Sequence, residues 1–183
     1  MTDAELLELA KAEGFAAAII PTSKIVTDAK FRSFCEENLC GNYNANYACP
    51  PDCGTVDETR KRLMEHERAL VVQSIWHIGD YENKAGIMDA RRKHNAAVLR
   101  LTQKLRDGGQ TGFCLGYDGC PLCSPCKRVT GEPCPQPENR ISCLSAYCVD
   151  AAKLAQICEL PFAWERDRLY LLGMFAFSAD SIF

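Results

Sequence analysis

An excess of positive charge is missing from this chain of 183 residues, in which 21 Lys plus Arg stand against 24 Asp plus Glu for a formal net charge of -3. A protein that grips a polyanion carries a basic stripe or patch, so nucleic acid is not an expected partner. Long apolar runs are missing as well. Nothing in the chain approaches the ~18 apolar residues that suggest a bilayer span, so no membrane partner is expected. Histidine is scarce: His66, His77 and His94 are the only three, and none has a second ligand-type residue at i+4. They read as helix-surface or strand-end residues, not as metal ligands. No glycine-rich phosphate loop follows a candidate strand, and no Ser, His and Asp order suggests a hydrolase, so a nucleotide site is not expected and catalytic residues stay unassigned. The opening Met1-Thr2-Asp3-Ala4-Glu5-Leu6-Leu7 is acidic and reads as the start of a helix, where an export signal needs a basic head and an apolar stretch; the expected compartment is the cytoplasm.

Cysteine is abundant. Twelve occur in 183 residues, crowded into two stretches that also hold seven of the nine prolines. In a chain of this length without an export signal, such crowding favours thiolate ligation of metal over a disulfide framework. The prolines make both stretches loops, not helices or strands.

Between the loops the pattern alternates between helical and strand-like segments. Thr2 with Glu5 is a capping-box pair that opens a helix over residues 3–13, and Thr55 with Glu58 repeats it before a charged helix of about 11 residues. Phe15 to Pro21, residues 69–76, residues 111–116 and Leu169 to Phe177 read as strands. Ile87, Arg91, His94, Val98, Leu101 and Leu105 recur at three and four residues, a long amphipathic helix stopped by Gly108 and Gly109, and another helix is expected near 149–159. Strand, helix, strand from 69 to 116 implies a crossover and a partly parallel sheet. The expected fold is α/β (α+β): one domain over 1–183, a sandwich of a small, partly parallel sheet with helices, its two cysteine-rich loops carrying metal.

The loop from Cys114 to Cys143 contains Cys120, Cys123 and Cys126 at intervals of three, then Cys134 followed by Pro135. Three thiolates so spaced wrap one cluster, and a more distant Cys-Pro completes the set in bacterial ferredoxins. Here seven residues separate Cys126 from Cys134, where the ferredoxin run has three. Structural zinc usually takes two well-separated pairs, so a four-iron four-sulfur cluster is favoured. The loop over 35–54 supplies Cys35, Cys40, Cys49 and Cys53, a second complete set of soft ligands that suits a cluster or tetrahedral zinc, with the cluster preferred.

Those residues carry a resemblance. Cys35 and Cys40, the Cys49-Pro50-Pro51 turn with Cys53-Gly54, the run Cys120, Cys123, Cys126, and Gly131-x-Pro133-Cys134 resemble a prokaryotic family of small, cysteine-rich predicted metal-binding proteins. The likeness extends through Ser142, Ala146, Leu160-Pro161-Phe162 and the last apolar strand, and departs from the family's pattern at Cys143, Ser145 and Cys148. It implies metal or iron-sulfur binding by the eight loop cysteines and implies no substrate.

Cys158 lies in an apolar helix segment and reads as core; Cys143 and Cys148 read first as packing residues and second as extra ligands or exchangeable thiols; Cys114, at a strand end, stands near the second set. Arg91-Arg92-Lys93 reads as a solvated helix face. Lys127, Arg128 and Arg140 flank the second set, where positive charge raises the potential of an anionic cluster or attracts an acidic partner, although solvation alone accounts for them. The function these features imply is an iron-sulfur protein with two four-iron four-sulfur clusters, serving a redox partner protein in electron transfer. The alternatives are a cluster-dependent enzyme with an open iron position, using Cys143, Cys148 or Cys114 towards substrate, and a zinc-stabilised interaction module.

Overall fold

The computed structural model describes residues 1–178. In chain order the elements are α1 (Asp3–Ala12), β1 (Ala16–Pro21), α2 (Arg32–Glu36), α3 (Val56–Met64), β2 (Arg68–His77), α4 (Lys84–Asp107), β3 (Gly112–Gly116), β4 (Ser142–Cys143), α5 (Ala151–Ile157) and β5 (Arg168–Phe177). Both capping boxes form. The Thr2 and Thr55 hydroxyls accept from the Glu5 and Glu58 N–H groups, and each glutamate accepts from the threonine N–H at 2.7 Å, so α1 and α3 begin where local chemistry satisfies their free donors.

The strands form one mixed sheet in the order β1-β2-β5-β3-β4. All neighbours are antiparallel except β3 and β4, which pair in parallel at Leu115 with Ser142 and Gly116 with Cys143. The crossover inferred from the sequence is present in direction: β2 and β3, joined by α4, run the same way. They are not neighbours, because β5, last in the chain, pairs antiparallel with both and lies between them.

Alternation along the central strands divides the core in two. Ala69, Val71, Leu115, Leu172, Met174 and Ala176 face a layer containing Leu63 of α3 and Leu154 of α5. Leu70, Val72, Cys114, Phe175 and Phe177 face Leu6 and Ala10 of α1 and Val98, Leu101 and Leu105 of α4. With helices on both faces, β2 and β5 lose the polar alternation of a half-exposed strand and read as apolar runs. Burying one such leucine contributes about 1.5–3 kcal/mol. α4 approaches closely at Gly173, where a Cβ would lie 2.9 Å from the Leu115 carbonyl oxygen and 3.2 Å from a Val98 methyl.

His94 corrects a sequence expectation. It is 1% exposed on the inner face of α4, its Nδ1 2.7 Å from the Ser74 hydroxyl, which itself accepts from the Trp76 indole at 2.7 Å. Ser74 is thus free to donate to Nδ1, and burial pushes the imidazole down to about 4. The apolar stripe had included His94; residue type alone suggested a surface position. The cysteine stretches are likewise not wholly irregular, since Cys35 sits in α2 and Cys143 in the two-residue strand β4.

Candidate metal centre

Arg32 organises the first cysteine set. It opens α2 three residues before Cys35, is 9% exposed, and donates from Nη1 to the Gly54 carbonyl at 3.0 Å and from Nη2 to the Ala146 carbonyl at 2.9 Å. These bonds tie α2 to the end of the first loop beside Cys53 and to the turn after Cys143. Cys143 donates to the Cys35 thiolate, which with the Arg32 charge brings Cys35 down to about 7 even though burial opposes it. The same bond, with burial, raises Cys143. Cys49 is buried, which pushes its thiol far up, and the neighbouring Cys40, Cys53, Cys35 and Cys120 push it the same way. Five thiols therefore belong to this neighbourhood: the four of the first loop and Cys143, read from the sequence as a packing residue.

The second set surrounds a small cavity. Cys120, Cys123, Cys126 and Cys134 all line it, together with Asn46, Tyr47, Pro135 and Arg140. Backbone N–H groups of Ile141 and Leu122 donate to the Cys120 sulfur, lowering a thiol that burial raises.

The two loops are laced together. Asn46 donates to the Cys120 carbonyl at 3.0 Å, the Tyr47 hydroxyl to the Glu132 carbonyl at 2.8 Å, and Ser142 to the Ala48 carbonyl at 2.5 Å. Arg128 pairs with Asp52 at 2.8 Å and donates to Asn44 at 2.6 Å, while Arg140 donates to the Tyr47 carbonyl at 3.1 Å. Arg128 and Arg140 are thus structural ties between the loops, whereas the sequence allowed for simple solvation. Lys127 makes a local pair with Glu132 at 3.1 Å.

A family model described as "Predicted metal-binding protein (DUF2284)" matches residues 18–176, a span that contains both cysteine sets. The chain belongs to this predicted metal-binding family. No curated protein and no solved structure matches it.

The donor set fits the property for which the family is described: two groups of soft thiols, one carrying N–H donors to a sulfur and the other a buried guanidinium. Among the described residues no three His, Cys, Asp or Glu side chains close on one point as a single ion requires, so a zinc ion would have to draw the thiols together. Cys114 lies within β3, 2% exposed, with burial raising it to about 11; Cys158 is raised to about 11 in the same way. Cys148 is fully buried at a left-handed turn, φ 55°, and lines neither cavity.

Beside the first set lies a feature the sequence did not announce, a cavity of about 660 Å3 whose wall includes Cys35, Cys40 and Cys143. Among the described residues its one basic and one acidic lining residue are Arg91 and Asp118. Arg91 stands over the Tyr117 ring, 4.8 Å from its centre, and 3.7 Å from the Asp118 carboxylate. The solvated-face expectation therefore fails for Arg91, whose partners come from the exit of β3, distant in sequence. No helix among the described residues is long and apolar enough to cross a membrane.

Proposed function

We propose that the chain is an iron-sulfur protein that holds a four-iron four-sulfur cluster in each cysteine set and transfers electrons to or from a redox partner protein. Cys120, Cys123, Cys126 and Cys134 would hold one cluster; Cys35, Cys40, Cys49 and Cys53 the other. Such clusters supply reversible one-electron chemistry. The observation that carries the reading is the convergence of the three-residue cysteine run with Cys134 on a single cavity. Arg32 adds support. A guanidinium at 9% exposure whose two terminal nitrogens donate to carbonyl oxygens needs an anion nearby, and among the described residues none of its bonds is to a carboxylate. The thiols of Cys35 and Cys53, whose acidity its charge increases, are the groups that can supply that anion. Asn46 and Tyr47 of the first loop line the cavity of the second set, and Asn46 donates to the Cys120 carbonyl, so the two groups lie on adjoining loops, as a relay between them requires.

Purification without oxygen tests the reading. The expected product is brown, contains iron and inorganic sulfide, and shows a reversible one-electron change on reduction. Cys123→Ser should remove the metal of the second set and Cys49→Ser that of the first. Zinc alone, without broad visible absorption, would replace this reading with a zinc-stabilised module.

A second reading, a cluster-dependent enzyme, is favoured by the cavity against Cys35, Cys40 and Cys143. A spectroscopic signal that shifts when a small ligand is added, and changes in Cys143→Ser, would favour it over the carrier.

A further inference from the structure

The cavity beside the first cysteine set has the size and make-up of a small-molecule site. Its volume of about 660 Å3 is that of a pocket for a drug-sized ligand, and its wall is mostly apolar and aromatic, with a few polar groups. Apolar exposure is concentrated at its edge: Phe34, Leu39, Tyr81 and Trp164, four of the large hydrophobic residues left exposed on the chain, all line it. Trp164 is 88% exposed, a poor position for an indole whose aromatic neighbour is Phe162, edge-on at 6.5 Å between ring centres.

The polar end is held in place. Asn95 of α4 clamps the backbone at Tyr117, accepting from its N–H at 2.8 Å and donating to its carbonyl. That clamp fixes the Tyr117 ring beneath Arg91 and sets Asp118 in a left-handed conformation, φ 60°. Among the described residues Arg91 is the single cation of the lining, and its charge is under-committed. Its contacts are 3.7 Å to Asp118 and 3.5 Å to the Tyr117 hydroxyl, whereas Arg100, Arg128 and Arg166 each bind a carboxylate at 2.8 Å. Charge-assisted bonds from a guanidinium to a carboxylate normally run to about 2.7–2.9 Å, so Arg91 retains capacity for a further anion.

We propose that this cavity binds a planar, largely apolar organic carboxylate, its anion held by Arg91 and its flat body lying among Tyr81, Phe162, Trp164 and Tyr170, with Cys35, Cys40 and Cys143 in the wall of the same cavity. An aromatic ring there gains offset or edge contacts with the lining rings. The inference does not depend on which metal group the cysteines hold.

Calorimetric titration of the full chain, purified without oxygen, with 2-naphthoate and its uncharged isostere 2-naphthamide tests the proposal. The acid should bind saturably and at least about tenfold more tightly than the amide, the worth of one charge-assisted hydrogen bond. Arg91→Gln should remove the preference for the acid while leaving amide binding in place, and Arg91→Lys should restore part of it. Trp164→Ala, at a side chain too exposed to support the fold, should weaken both ligands. Met88→Ala, exposed but outside the cavity, should change neither. Equal binding of acid and amide, or a loss of both in Arg91→Gln and Arg91→Lys alike, overturns the role given to Arg91. Absence of saturable binding by either compound overturns the site, and leaves the exposed ring to a protein partner. Iron and zinc measured on the same samples report separately on the metal assignment.

Discussion

Replacing Arg32 by methionine tests how the first cysteine set is assembled. Methionine retains much of the apolar stem and removes the charge and both terminal donors, leaving the Gly54 and Ala146 carbonyls without the bonds made at 3.0 Å and 2.9 Å. A hydrogen bond to a charged group contributes about 1.5–3 kcal/mol, so two lost together destabilise the chain by about 3–6 kcal/mol. Against a typical stability of about 5–15 kcal/mol, that loss is a large fraction of the total, and Arg32→Lys serves as the milder variant. Denaturant unfolding reads that change, and metal content per chain reads its location. Metal at the first set should fall, because α2 with Cys35 is no longer tied to the segments bearing Cys53 and Cys143, while the second set, which Arg32 does not touch, should lose less. The Cys35 thiol should also become a poorer nucleophile at neutral pH, since Arg32 contributes to its lowering to about 7. Arg32→Lys keeps the charge but not the planar fork and should fall between the two. An Arg32→Met chain with an unchanged unfolding midpoint and full metal content would refute the role assigned to this residue.

Three further outcomes are expected. His94 is held neutral, its value near 4 when folded against an ordinary 6.5, so the unfolded chain binds the extra proton first; its contribution of about 3 kcal/mol is complete above pH 6.5 and drains away as pH falls towards 4. NMR titration finding His94 near 6.5 in the folded protein would contradict this, and His94→Leu should flatten the slope. Gly173→Ala should destabilise by about 1–3 kcal/mol in thermal or chemical unfolding, because its Cβ would crowd the Leu115 carbonyl and Val98; full stability would show that α4 can shift away from the sheet. Removing metal with a chelator should lower the stability of the whole chain, since metal bound only by the folded state adds to folding free energy; an unchanged melting profile would mean the loops hold their shape without it.

Features set by neighbours in sequence are legible in the sequence alone. Both capping boxes reach only three residues, the cysteine run 120–126 is local, and the apolar runs of β2 and β5 record burial on two faces. Partnership at a distance was not legible. Periodicity tells that residues 168–177 are buried, but not that they insert between β2 and β3. The stripe on α4 correctly contained Arg91 and His94, yet residue type argued for solvent, because the groups that make their burial tolerable, Tyr117 with Asp118 and Ser74, come from other elements. Arg32 carried no signal, its acceptors being 22 and 114 residues away. Cys143 carried one, its identity as cysteine, but no spacing linked it to Cys35.

The lacing of the two loops bears on how the cysteines come together. A hydrogen bond between loops returns about 1 kcal/mol net, no more than the entropy lost in fixing one residue's backbone. The bonds from Asn46, Tyr47, Arg128, Arg140 and Ser142 can select one arrangement of the loops, but they contribute too little to order both stretches. Bound metal acts on a different scale, since its affinity for several thiolates is expressed only when they are brought together. Because Asn46 and Tyr47 belong to the first loop and both line the second cavity, ordering either loop fixes backbone that the other requires. On the two-cluster reading proposed above, filling the first set would lower the entropic cost of filling the second.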